Sequence, residues 1–265
     1  MDTRIDEIAD GIFRLSTLVP DIGPTGFTFN QFLVRADEPL LFHTGPRAMF
    51  PSVSAAVATV VPVEQMRWIA FGHFEADECG AMNQFLAAAP GAQVTHGAVG
   101  CMVSIDDQAD RPPSPMAPDA VLDLGGKRIH GLYTPHVPHG WDAHVLYEET
   151  TATLLCGDLF THLGDGPAVT DTDVLDAATT AEDVFGATCL TPYTAPTIRS
   201  LADLEPATLA IMHGASYNGD CRAALLALAD EYERRTLAVP SPSAVSFDWV
   251  RPRRPACWAS PRRDP

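Results

Sequence analysis

Nine residues, Gly72-His-Phe-Glu-Ala-Asp-Glu-Cys-Gly80, constrain this 265-residue chain more than any other stretch. They follow Met66-Arg-Trp-Ile-Ala-Phe71, a short apolar run of the kind that fills a buried strand, and they precede residues 82–89, which read as the start of a helix. His73, Glu75 and Asp77 therefore sit on a strand-to-helix loop. Alternate side chains of an extended segment face the same way, so the three can converge on one point as metal ligands do. A plainer reading is a helix N-terminus, where Asp77 and Glu78 are favoured by capping and by the helix dipole and His73 merely packs.

Length and composition set the outer bounds. With 265 residues, 46% of them hydrophobic, the chain suits one compact α/β domain with a sizeable core. No apolar run is long enough to span a bilayer, and Met1-Asp-Thr-Arg-Ile-Asp-Glu lacks the order of a signal peptide, so a soluble cytoplasmic protein is expected. The formal net charge of −17 repels phosphate backbones and anionic lipid, which argues against nucleic acid and membrane as partners. Cys79, Cys101, Cys156, Cys189, Cys221 and Cys257 form no Cys-x-x-Cys pair, so neither a zinc ribbon nor a dithiol redox motif is supported.

Along the chain, residues 5–8, 11–15, 27–34 and 40–44 read as a meander of strands, 52–61 as a helix, and 63–71 as a return to strand. A helix over 81–89 and a strand at 93–95 follow, then a proline-broken loop over 105–118. Gly125-Gly126 signals a hairpin between residues 121–124 and 127–133. Thr-Pro-His136-Val-Pro-His139-Gly-Trp141-Asp142 leads into a strand at 145–147, and a further apolar strand ends at Gly157-Asp158. A carboxylate at such a strand end needs a cation or several donors to offset its desolvation. Downstream, Thr208-Leu-Ala-Ile-Met212 ends in His213-Gly214. Taken alone, His213 reads as a satisfied core histidine; four strand ends with ligand-type residues point to a metal site. Residues 221–237 read as a helix turning Leu225, Leu228, Ala229 and Tyr232 inward.

These motifs, in this order, resemble the metallo-β-lactamase fold, a four-layer αββα sandwich of the α/β (α+β) class with a dinuclear site at one edge of two facing sheets. Hydrolases of that fold carry His-x-His-x-Asp-His; His73-x-Glu75-x-Asp77-Glu78 is instead similar to the diiron domain of the flavodiiron proteins and to the stand-alone oxygen-binding diiron proteins. His139, Asp142, Tyr147, Asp158 and Phe160 match the family's middle segment, with Asp158 nineteen positions after His139. The resemblance covers roughly residues 5–230 and implies two iron ions: one held by His73, Glu75 and His139, the other by Asp77 and His213, with Asp158 bridging. Mixed imidazole and carboxylate without thiolate suits iron or manganese.

Departures from the family pattern leave several positions open. Glu78 stands where the family often has histidine, so it either binds the second iron or leaves that position to solvent and dioxygen. His43, where the fold usually has aspartate, and His136, a rival of His139, are expected to support ligands rather than bind. Tyr193, in the loop Thr191-Pro-Tyr-Thr-Ala-Pro196, is a candidate to point its hydroxyl at an iron-bound ligand. Roughly 50 residues after His213 are too few for a flavodoxin-like domain, so no built-in FMN is expected. The implied function is binding of dioxygen or another small diatomic, as an oxygen-binding or sensing protein or as an oxygen or nitric oxide reductase fed by an external electron donor or coupled to a signalling partner. The alternative is a metal-dependent hydrolase of the same fold acting on an ester, lactone or thioester.

Residues 1–238 are assigned to this domain and 239–265 to a Pro/Arg-rich C-terminal arm. Arg251, Arg253, Arg254, Arg262 and Arg263 alternate there with prolines, a pattern that suits lying on the acidic body better than binding nucleic acid. With Phe247, Trp249 and Trp258, the arm can pack on its own subunit or on the partner of a homodimer.

Overall fold

The computed structural model describes residues 2–118 and 120–238. Its first half runs β1 (Thr3–Ala9), β2 (Ile12–Val19), β3 (Phe27–Val34), β4 (Leu40–Phe42), α1 (Phe50–Val57), β5 (Trp68–Ala70), α2 (Ala76–Cys79), α3 (Met82–Ala88), β6 (Gln93–Gly97), α4 (Ala98–Gly100), α5 (Asp106–Gln108) and β7 (Ser114–Met116). The second half runs β8 (Val121–Asp123), β9 (Arg128–Tyr133), β10 (His144–Glu148), β11 (Thr153–Leu155), β12 (Val169–Thr170), α6 (Leu175–Phe185), α7 (Thr194–Ala202), β13 (Thr208–Ala210), β14 (Ser216–Tyr217) and α8 (Cys221–Ala238). Each half contributes one seven-stranded sheet, ordered β1-β2-β3-β4-β5-β6-β7 and β12-β14-β13-β11-β10-β9-β8.

The alternation of side chains along each strand builds three apolar layers. Phe32, Leu40, Phe42, Trp68 and Ala70 of the first sheet face Ile129, Leu146, Leu155 and Ala210 of the second, filling the space between the sheets. Their neighbours Leu33, Leu41 and Ile69 point the other way, onto Val53 and Val57 of α1 and Phe85 and Leu86 of α3. On the far side, Val145, Leu154 and Leu209 pack on Ile198 and Leu201 of α7 and Leu225 and Leu228 of α8. Strands buried on both faces read as continuous apolar runs, as Leu40-Leu41-Phe42 and Thr153-Leu154-Leu155 do. The result is the four-layer αββα sandwich expected from the sequence.

Several local expectations needed correction. Within residues 63–71 only Trp68–Ala70 is strand; Val63–Gln65 is a 3-10 turn, because Pro62 opens it and the backbone N–H of Met66 closes on Val63 O. The stretch read as a loop from residue 105 begins inside a helical segment, with a π-helical turn over Cys101–Ile105 between α4 and α5, and it ends by adding β7 to the sheet edge. The Gly125-Gly126 turn forms as expected: both residues have positive φ (74° and 91°), and β8 and β9 pair antiparallel across it. The proposed arm, 239–265, lies outside the described residues.

Register brings distant residues to one edge. β4, β5 and β6 are parallel neighbours, and β11 and β13 are parallel with Leu155 opposite Ala210. Asp158 and His213, each three residues beyond that pair, therefore leave the sheet at the same level. β10 is antiparallel to β11, so its beginning, where residues 139–143 lead in, lies at the end of β11. Asn30 ties the two sheets together at this edge, its side-chain amide donating to the carbonyls of Ile211 and Gly214 at 2.8 Å each. His144 N donates across to Gly72 O at 2.8 Å.

Candidate metal centre

Four loops at this edge carry the ligand-type residues. The first is not extended throughout: Glu75 is the last extended residue (φ −132°, ψ 154°), and Ala76–Cys79 closes a single helical turn. The turn sends Asp77 and Glu78 in different directions, which the alternation expected from the sequence did not anticipate.

Six side chains converge. His73 Nε2 lies 2.6 Å from Glu75 Oε2, and His139 Nε2 lies 3.3 Å from the same oxygen and 3.3 Å from Asp158 Oδ2. One ligand atom from each of His73, Glu75, His139 and Asp158 falls within 4.8 Å of the others. On the other side, His213 Nε2 lies 3.2 Å from Asp158 Oδ1 and 3.3 Å from Asp77 Oδ2. Asp158 thus divides its two oxygens between two lobes: Oδ2 toward His73 and His139, Oδ1 toward His213.

The remaining faces of the imidazoles are held by the fold. His213 Nδ1 donates to the buried Thr28 carbonyl at 2.8 Å, and its ring stacks on Phe27 with centroids 4.2 Å apart. His73 Nδ1 lies 3.1 Å from Glu78 Oε1, while His73 N donates to Glu78 Oε2 at 2.6 Å. Glu78 is fully buried, and its other neighbour is His43 Nε2 at 3.5 Å. It faces His73 and His43, on the side of the ring away from Asp158. His43 sits one residue past β4 with φ 65°, buried against Phe42.

The charges interlock. Burial opposes protonation of His73, but Glu78 and the hydrogen bonds to Glu75 and Glu78 outweigh it and hold its pKa up at about 11. Burial likewise opposes a charge on His213, and Asp158 and Asp77 raise its pKa to about 10. His139 and then His73 push the Glu75 carboxyl well below the usual range. Asp158 titrates low despite its burial, because His213, His73 and His139 surround it. Burial lowers the pKa of His43, which favours its neutral form. Three carboxylates balanced only by imidazoles form a nest for cations; among the described residues no Lys or Arg lines the cavity above them.

That cavity, of about 340 Å³, opens over the cluster. Phe27, Ala178, Ala181 and Phe185 form an apolar wall, and Thr188 and Tyr232 lie among its polar lining. None of these wall residues carries a sequence signal, because their role comes from α6 and α8 packing beside β3. Tyr193, by contrast, does not reach the site: it is 75% exposed just before α7 and is not part of the lining. His136 is also turned out; it is exposed at φ 65°, and its ring makes no hydrogen bond among the described residues. The positioning role expected of His136 falls to Asp142, whose Oδ2 accepts from Phe74 N at 3.0 Å and lies 3.2 Å from buried His96 Nε2. Asp142 thereby ties the loop of His139 to the loop of His73.

Comparison with known proteins gives consistent results. A family model described as ODP family beta lactamase matches residues 27–214. The rubredoxin-oxygen oxidoreductase of Megalodesulfovibrio gigas is 22% identical over 206 residues, covering 75% of this chain and 51% of the relative, so the chain spans about half that protein's length. Among solved structures, a fragment of diflavin flavoprotein A 5 from Nostoc sp. PCC 7120 superposes with a TM-score of 0.73 at 18% identity, covering 89% of this chain and 96% of the fragment. A metal-soaked flavodiiron core from Synechocystis sp. PCC6803 superposes with a TM-score of 0.71 at 21% identity, covering 89% of this chain and 61% of its own. At these identities the superpositions establish the shared fold.

Proposed function

This chain belongs to the ODP family of beta lactamases, and on that premise we propose that it is a non-haem diiron protein that binds dioxygen or a comparable diatomic and draws electrons from an external donor. The observation that carries the reading is the divided carboxylate of Asp158, with one oxygen toward His73 and His139 and the other toward His213. His73, Glu75, His139 and Asp158 would hold one iron; Asp77, His213 and Asp158 would hold the other. The donor set fits, being rich in carboxylate and imidazole and free of thiolate. Bound iron would supply one-electron redox chemistry at this edge of the sheets.

The chain's own residues do the rest. Glu78 orients His73, and Thr28 orients His213, so both rings present Nε2 inward. Because Glu78 faces away from Asp77 and His213, the second lobe offers three protein donors against four in the first. Phe27 and Phe185 make the approach apolar, which suits a small uncharged ligand better than an anion. The curated relative's name, rubredoxin-oxygen oxidoreductase, agrees with oxygen chemistry and a protein donor.

The test begins with iron-loaded full-length protein, in which elemental analysis should find close to two irons per chain, with a clear loss in Asp158→Asn. Anaerobic reduction followed by dioxygen should then change the visible spectrum and consume the gas. If the reduced protein is indifferent to dioxygen while the zinc-loaded form turns over esters or lactones, the centre belongs to a hydrolase instead.

A further inference from the structure

We propose that the cavity over the centre takes a second ligand besides a diatomic, a neutral organic molecule built on an aromatic ring. The proposal rests on the reading above that this cavity is the approach to the centre. Size is the first argument. The volume of about 340 Å³ is roughly ten times the ~30 Å³ that a water-sized molecule occupies, so a diatomic leaves most of it to solvent. An apolar cavity of about 150 Å³ already holds benzene, and pockets for small organic ligands begin at about 300 Å³.

Helix α6 makes the room. Ala178, Ala181, Glu182 and Phe185 recur at i, i+3, i+4 and i+7, and all four line the cavity. Two of them are alanine, so the helix face is set back where larger side chains would fill the space. Phe185 is the large member of the stripe and is 45% exposed. It stands edge-on to Phe27 with centroids 5.7 Å apart, and Phe27 stacks on His213. A ring entering beside Phe185 finds an aromatic partner and takes apolar surface out of water.

Charge and hydrogen bonding decide the class. The polar groups of the wall already have partners. The Thr161 hydroxyl donates to Asp158 O at 2.8 Å, and Thr188 donates to Glu182 through its hydroxyl at 2.8 Å and its N–H at 3.2 Å. Tyr232 in turn hydrogen-bonds to Thr188. An anion meets Glu75, Asp77, Asp158 and Glu182 with no Lys or Arg among the described residues of the lining. An ammonium group finds Glu182 taken by Thr188 and the floor carboxylates taken by His73, His139 and His213, and it loses its water against an apolar wall. A neutral ring with one hydroxyl incurs neither penalty.

Equilibrium dialysis of the full-length, iron-loaded protein under nitrogen tests this, with benzyl alcohol as the probe and benzenesulfonate as its anionic counterpart. Benzyl alcohol should bind saturably and at least several-fold more tightly than benzenesulfonate. Ala187 lies on the lining and yet is exposed, so Ala187→Phe occupies part of the cavity without entering the core. That variant should weaken benzyl alcohol about tenfold, and Phe185→Ala should weaken it several-fold. Binding that does not saturate overturns the proposal. So does equal affinity for benzenesulfonate, and so does affinity unchanged in either variant. No dioxygen is present in the dialysis, so binding of the ring and reactivity toward dioxygen succeed or fail separately.

Discussion

Glu78 shows what one residue decides. A fully buried carboxylate is costly unless partnered; Glu78 Oε2 accepts from His73 N at 2.6 Å, while Oε1 lies 3.1 Å from His73 Nδ1 and 3.5 Å from His43 Nε2 without a well-aligned hydrogen bond to either. Glu78→Gln keeps the shape and removes the charge that steadies His73, and it should lower metal affinity roughly 10- to 100-fold, as loss of a ligand's supporting carboxylate does; competition titration with a chromophoric chelator measures it. The raised pKa values of His73 and His213 make a second prediction at this scale. Their folded pKa values, about 11 and about 10, lie above the ordinary imidazole value near 6.5. Their contribution to stability in the metal-free protein is thus complete below that ordinary value and disappears as pH rises through about 10 to 11. Thermal melts of chelated protein should show that alkaline loss, and a His213→Asn variant should show less of it. Metal uptake at neutral pH should release protons, which calorimetry in buffers of different ionisation enthalpy detects.

Among elements, the single turn α2 has the tightest tolerance. It carries Asp77 and Glu78, and it ends at Gly80, where a Cβ would lie within 3.2 Å of Arg47 N and Pro46 Cα and closer still to Ala76 O. All three obstacles belong to backbone, so the turn itself must shift. Gly80→Ala should therefore cost about 1–3 kcal/mol, the range for overpacking a closed site, and should move Asp77 away from His213. Urea melts read the first effect and metal content the second. Packing on the far side is more forgiving in kind, because α8 presses Leu225, Leu228, Ala229 and Tyr232 onto the second sheet through side chains alone.

At the scale of the whole molecule, the centre joins the two halves of the sandwich. His73, Glu75 and Asp77 come from the first half; His139, Asp158 and His213 come from the second. On the proposed assignment, metal bound across them would favour the folded state by mass action, about 2.7 kcal/mol when free metal is about 100 times its dissociation constant. Loaded protein should melt clearly above chelated protein, and Asp158→Asn should remove most of the difference because it unlinks the two lobes. A melting temperature indifferent to metal would show that the halves are held by the layer between the sheets alone.

What the sequence determined by itself was the layering and the edge. Short apolar runs such as Leu40-Leu41-Phe42 and Leu209-Ala210-Ile211 read as strands buried on both faces, and ligand-type residues just beyond three of them read as lying at a sheet edge. Helix α8 and the Gly125-Gly126 hairpin were equally legible, because each rests on a local period or turn preference. Tertiary structure decided the rest. Whether Asp158 and His213 meet depends on the pairing of Leu155 with Ala210, 55 positions apart in the chain, and whether Glu78 faces a metal or a histidine depends on one helical turn. Tyr193 and His136 sit within a few residues of plausible positions and yet point outward, while Phe27, Thr28 and Asp142, unremarkable in the sequence or noted only for their spacing, hold the ligand loops in place. Local preference names which residues can take part; only long-range pairing, set by hydrogen-bond register and packing between the sheets, chooses which of them face one another.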